Sequence, residues 1–86
     1  MNVSCSYKLN LTLWNRNAAN LVFALSELST SVFLYKEYGR RINGKSLIGI
    51  LSGRFLQGDT IKILIDNPEQ MSRVKSIFNQ YGEEII

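Results

Sequence analysis

Residues 43–58 read Asn43-Gly44-Lys45-Ser46-Leu47-Ile48-Gly49-Ile50-Leu51-Ser52-Gly53-Arg54-Phe55-Leu56-Gln57-Gly58. Asn43-Gly44-Lys45 breaks whatever precedes it. Ser46 can cap a short helix that carries Leu47, Ile48, Ile50 and Leu51, and Gly53 or Gly58 ends the region. On the N-terminal side, Val32 to Glu37 is rich in strand formers. Tyr38-Gly39 makes a turn and Arg40 to Asn43 returns, so a hairpin is expected. On the C-terminal side, Ile61, Ile63 and Ile65 alternate with Thr60, Lys62 and Leu64, the period of a strand.

The ends complete the pattern. Val3, Cys5, Tyr7 and Leu9 alternate with polar residues, which predicts a half-buried strand over about 2–9. A loop follows to Asn15, which can cap a helix over about 16–28 with Ala18, Leu21, Val22, Leu25 and Leu28 on one face. Near the C-terminus, Asn67 is an N-cap, Pro68 fits the first helical position and Gln70 completes a capping-box pattern. Met71, Val74, Ile77, Phe78 and Tyr81 form the apolar stripe of that helix, and Gly82 is its expected stop. The order is β-α-β-β-α-β-α in one domain over residues 1–86. Strands with one apolar face need helices to cover it, so the class is α+β, an open-faced two-layer sandwich.

Composition narrows the function. The chain has 86 residues, 45% hydrophobic and 20% charged, with a formal net charge of +3. No apolar run approaches the length of a membrane span and no leader pattern opens the chain, so a cytoplasmic protein with no membrane contact is expected. The single Cys5 is read as a small core residue. The basic residues are scattered, which favours a solvated surface over direct nucleic-acid binding. No histidine occurs, and no cysteine pair or carboxylate cluster suggests a metal or other cofactor. No nucleophile–base pair is visible, so enzyme activity is not expected.

Two blocks in order carry a family resemblance. The first is Arg16-x-Ala18-Ala19 at a helix start. The second is Lys45-Ser46-x-x-Gly49-x-x-Ser52 followed by Gln57-Gly58. Together they resemble HPr, the small phosphocarrier of the bacterial phosphotransferase system, and the HPr-like protein Crh. The resemblance implies three helices on one face of a four-stranded antiparallel sheet. It also implies that Trp14 stands where the family carries its phosphorylated histidine. An indole nitrogen has no available lone pair and cannot accept a phosphoryl group. Asn17 replaces the family's proline, and the stretch Thr12-Leu13 replaces its glycine.

Ser46 matches the family's regulatory serine. The resemblance therefore implies an HPr kinase/phosphorylase as modifier and a CcpA-like regulator, in carbon catabolite control, as partner. Lys45, Leu47, Ile48 and Leu51 would supply the contact around the phosphoserine. The alternative is a phosphorylation-independent interaction module using the former carrier surface at Trp14 and Arg16. Trp14 reads either as a binding anchor or as a ring packed over the helix start, and Arg16 either as an anion holder or as a solvated side chain. Strand alternation adds a separate expectation. Val32 and Leu34 point inward with Ile61, Ile63 and Ile65, while Phe33, Tyr35 and Leu64 turn to the uncovered face. There they would favour weak self-association, as a homodimer, or partner docking.

Overall fold

A computed structural model describes residues 2–86. The elements are β1 (Val3–Leu9), α1 (Asn15–Ser26), β2 (Val32–Lys36), β3 (Ile42–Asn43), α2 (Leu47–Ser52), β4 (Thr60–Ile65), one turn of 3-10 helix (Pro68–Gln70), α3 (Met71–Phe78) and β5 (Gly82–Ile85). The strands form one sheet in the order β3-β2-β4-β1-β5, and every neighbouring pair is antiparallel. The expected α+β sandwich is therefore present, with one correction. The sheet has five strands, not four, because Gly82 opens β5 rather than merely stopping a helix.

The inward faces follow the sequence period. Cys5, Tyr7, Leu9, Val32, Leu34, Ile61, Ile63 and Ile65 are all buried. They meet Ala18, Leu21 and Leu25 of α1, Ile50 of α2, and Val74 and Phe78 of α3. The ring of Tyr7 lies against Phe78 with centroids 5.8 Å apart. Its hydroxyl reaches Asn79 Oδ1 at 2.6 Å and the Lys75 carbonyl at 3.1 Å. Burial, helped by nearby Glu84, pushes the Tyr7 phenol up to about 12 and the Cys5 thiol up to about 11. Cys5 is thus an un-ionised core residue, as its strand position predicts.

β5 joins β1 through a close backbone approach. A Cβ on Gly82 would lie 2.2 Å from the Lys8 carbonyl oxygen, so only glycine fits there. Glu84 of the same strand faces the helices and pairs with Lys75 at 2.9 Å. The C-terminal acidic stretch is therefore a strand tied to α3.

Two local details differ from the sequence reading. Trp14, not Asn15, occupies the N-cap position of α1 and makes no side-chain cap bond; Asn15 itself has φ 51°. Asn67 caps the 3-10 turn by accepting from the Glu69 N–H at 3.1 Å. The reciprocal half of the capping box is not made, since Gln70 Oε1 is buried without a partner among the described residues.

Candidate functional site

The loop before α1 is pinned to the loop after α2. Leu13 is buried and its N–H donates to the Phe55 carbonyl at 2.8 Å. The Thr12 hydroxyl accepts from the Gln57 N–H at 2.9 Å. Asn17 Nδ2 donates to the Thr12 carbonyl at 3.2 Å, closing the turn into the helix. Trp14 sits between these anchors in extended backbone, with no side-chain cap bond. Trp14 is 54% exposed. Trp14, Thr12, Leu51, Arg54 and Leu56 border a largely apolar depression of about 290 Å³. Arg16 is exposed in the first turn of α1, and that turn contains no acidic residue.

α2 is built on a local cap. Ser46 is extended, and its Oγ accepts from the Gly49 N–H at 3.0 Å. A Cβ at Gly49 would lie 3.2 Å from both Ser46 Oγ and the Ile42 side chain, so a larger residue would press on the cap. Lys45 is less free than its sequence suggests. Its ammonium donates to the Leu28 carbonyl at 2.7 Å, and its N–H donates to Asn43 Oδ1 at 2.9 Å. It clamps the start of α2 to the end of α1. Leu51 is half-buried, while Leu47 and Ile48 are exposed, Ile48 by 80%.

Sequence reasoning missed Phe23, which is 70% exposed on α1. The Lys45–Leu28 bond sets the start of α2 at the end of α1, and Trp14 beside Leu51 sets its end at the start of α1. The two helices therefore run in opposite directions. α3 flanks α1 on the side of Ala24 and Leu28. With about 100° per residue, Phe23 points nearly opposite the buried stripe of Ala18, Leu21 and Leu25, out from the helical layer. Phe23, Leu47 and Ile48 are thus exposed on the helical side of the sheet, where Trp14, Leu51 and Leu56 border one depression. A large apolar side chain outside the buried stripe of an amphipathic helix was the signal available in the sequence.

Below this surface a polar strap holds the α2–β4 loop. Lys36 Nζ lies 3.1 Å from Asp59 Oδ2, hydrogen-bonds the Arg54 carbonyl and stands over the Phe55 ring, 5.8 Å from its centroid. Partial burial works against the Asp59 carboxylate. The Leu56 N–H and the Lys36 ammonium outweigh it and hold the carboxyl below its ordinary value. Trp14, Arg16 and the Ser46 helix are therefore set on a braced frame. Phe33, Tyr35 and Leu64 lie apart from it on the uncovered side of the sheet.

Comparison with known proteins places this arrangement. The family model described as "PTS HPr component phosphorylation site" matches residues 6–80. Among solved structures, phosphocarrier protein HPr from Bacillus anthracis is similar at TM-score 0.83 and 22% identity, covering 93% of this chain and 96% of that one. HPr-C-His from Thermoanaerobacter tengcongensis is similar at TM-score 0.73 and 25% identity, covering 92% and 88%. The histidine-containing phosphocarrier protein of Mycoplasma gives TM-score 0.72 and 18% identity, covering 93% of each chain. No curated protein matches the chain. No helix among the described residues is long and apolar enough to cross a membrane. The family match runs from β1 through α3 and takes in both the Trp14 turn and the Ser46 helix: the chain belongs to the HPr family of the phosphotransferase system.

Proposed function

We infer that this chain is an HPr-family regulatory protein that does not carry phosphate on histidine and acts by binding a protein under the control of Ser46. One observation carries the reading. Ser46 heads α2 with its Oγ on the Gly49 N–H, next to exposed Leu47 and Ile48. A phosphoserine there would add about −1.5 to −2 charge where helix N–H groups and dipole receive it. It would stabilise the first turn of α2, so the signal is a changed surface rather than a refolding. The modifier is then an HPr kinase/phosphorylase and the reader a CcpA-like regulator, in a bacterial cytoplasm.

Kinase and ATP are expected to add one phosphate, read by intact mass. Ser46→Ala should abolish it and lower stability by about 1 kcal/mol through the lost cap. If the wild-type chain stays unmodified while an ordinary HPr is labelled in the same tube, the switch is excluded.

A second reading rests on the apolar side formed by Phe23, Trp14, Ile48 and Leu56, which is exposed without any modification. Here the former carrier surface binds directly, with Trp14 as the aromatic anchor and Arg16 as a charged neighbour. Calorimetry with a CcpA-like regulator separates the two. Under the second reading the unmodified chain binds, and Trp14→Ala weakens it by about tenfold or more. Binding seen only after kinase treatment supports Ser46 control.

A further inference from the structure

The uncovered face of the sheet has a pattern that neither reading uses. The antiparallel register lays its outward side chains in rows. One row is Asn43, Phe33, Leu64 and Ser4. The next is Tyr35, Lys62, Ser6 and Ile85. The third holds Thr60, Lys8 and Glu83. Glu37 is the first residue of the turn after β2, and it lines one depression together with Thr60 at the end of this third row. It borders the same shallow depression as Tyr35, Ser6 and Lys62. Bulk is therefore concentrated on β2 and small side chains on β1.

Charge is balanced on this face. Lys8 and Lys62 stand with Glu37 and Glu83, although the whole chain carries a net charge of +3. A polyanion or an anionic membrane gains nothing from such a surface. A second copy does, because copies that meet here avoid the repulsion of their excess charge.

We propose that two copies of this chain associate weakly face to face through the open sheet, about a two-fold axis that runs along β4. β4 is the middle of the five strands, so that axis places β2 of each copy over β1 of the other and keeps each row opposite itself. Phe33 then lies over Ser4 and Tyr35 over Ser6, bulky rings above small side chains. Leu64 meets its own copy. Lys8 of each copy lies opposite Glu37 of the other, giving two symmetric ion pairs. Lys62 also meets its copy, and its flexible stem lets the ammonium turn toward solvent. Aligned sheet packing at about 10 Å suits side chains of this size.

The magnitude follows from area. A face about 20 Å by 20 Å offers roughly 400 Å² per copy, half of a standard interface. Dissociation constants of about 0.1–1 mM are expected for so small a contact.

Sedimentation of the full chain up to about 1 mM tests this, with folding checked by circular dichroism. The apparent mass should rise toward twice the monomer value. Phe33→Lys combined with Leu64→Lys should hold it at the monomer. Glu37→Lys and Lys8→Glu should each raise the dissociation constant by about tenfold, and the two together should restore it. Glu37 is exposed, so its substitution keeps the test decisive should the double lysine variant not fold. A monomer at every concentration overturns the proposal. So does a dimer that ignores these substitutions, or a charge swap that fails to restore association. The result does not depend on Ser46, which lies on the helical side.

Discussion

With phosphoenolpyruvate and Enzyme I, this chain is expected to take up no acid-labile phosphate while an ordinary HPr in the same tube is labelled to stoichiometry. The reason is chemical before it is structural. The chain contains no histidine. The Trp14 indole nitrogen has its lone pair in the aromatic ring and offers only an N–H. Cys5 offers no substitute, since it is buried and its thiol is raised to about 11. Stoichiometric labelling would sink the proposed loss of carriage. Trp14→His should restore transfer only weakly, slower than an ordinary HPr by about a hundredfold, the usual effect of a misplaced reacting group. Here Asn15 holds φ 51° and the Asn17 side chain bonds the Thr12 carbonyl, so a histidine would enter a turn shaped for another residue.

Phe55→Ala is expected to produce the largest loss of stability, about 3–5 kcal/mol, out of a total of about 5–15 for a domain of this size. The ring is 1% exposed. It packs so closely on Gly53 that a Cβ there would lie 2.5 Å from it. The Lys36 ammonium stands over the ring, and the Phe55 carbonyl receives the Leu13 N–H. Removing the ring leaves a cavity beneath the Trp14 depression and frees Lys36 to swing. Urea unfolding measures the loss, and Phe55→Leu should recover most of it because the volume is largely restored. A loss below about 1 kcal/mol for the alanine variant would show that the ring does not carry the core.

Much of the fold is legible because its signals are local. The alternation of Ile61, Ile63 and Ile65 needs only the two-residue repeat of a strand, and the stripe Val74–Phe78 only the helical turn. The Ser46 cap is equally local, since Oγ and the Gly49 N–H are three residues apart. These same local features, in order, carried the family resemblance.

Illegible features depend on groups far apart in the chain. Gly82-Glu83-Glu84-Ile85 has the composition of a solvated tail. It becomes a strand because β1 presents a free edge and Lys75 waits for Glu84. Lys45 looks like a free cation beside Ser46 until the Leu28 carbonyl claims it. Phe23 looks like one more helical residue until the packing of α1 is seen to leave it facing solvent.

The sequence by itself determined the α+β class, the family, and the absence of any histidine to phosphorylate. Those rest on residue types and on periods of two and 3.6, which backbone geometry imposes everywhere. Only the tertiary structure decided the fifth strand, the exposure of Trp14 and Phe23, and which lysines are committed. Strand pairing and side-chain neighbours depend on which edges and carbonyls the rest of the chain leaves open, and no short window of residues contains that information.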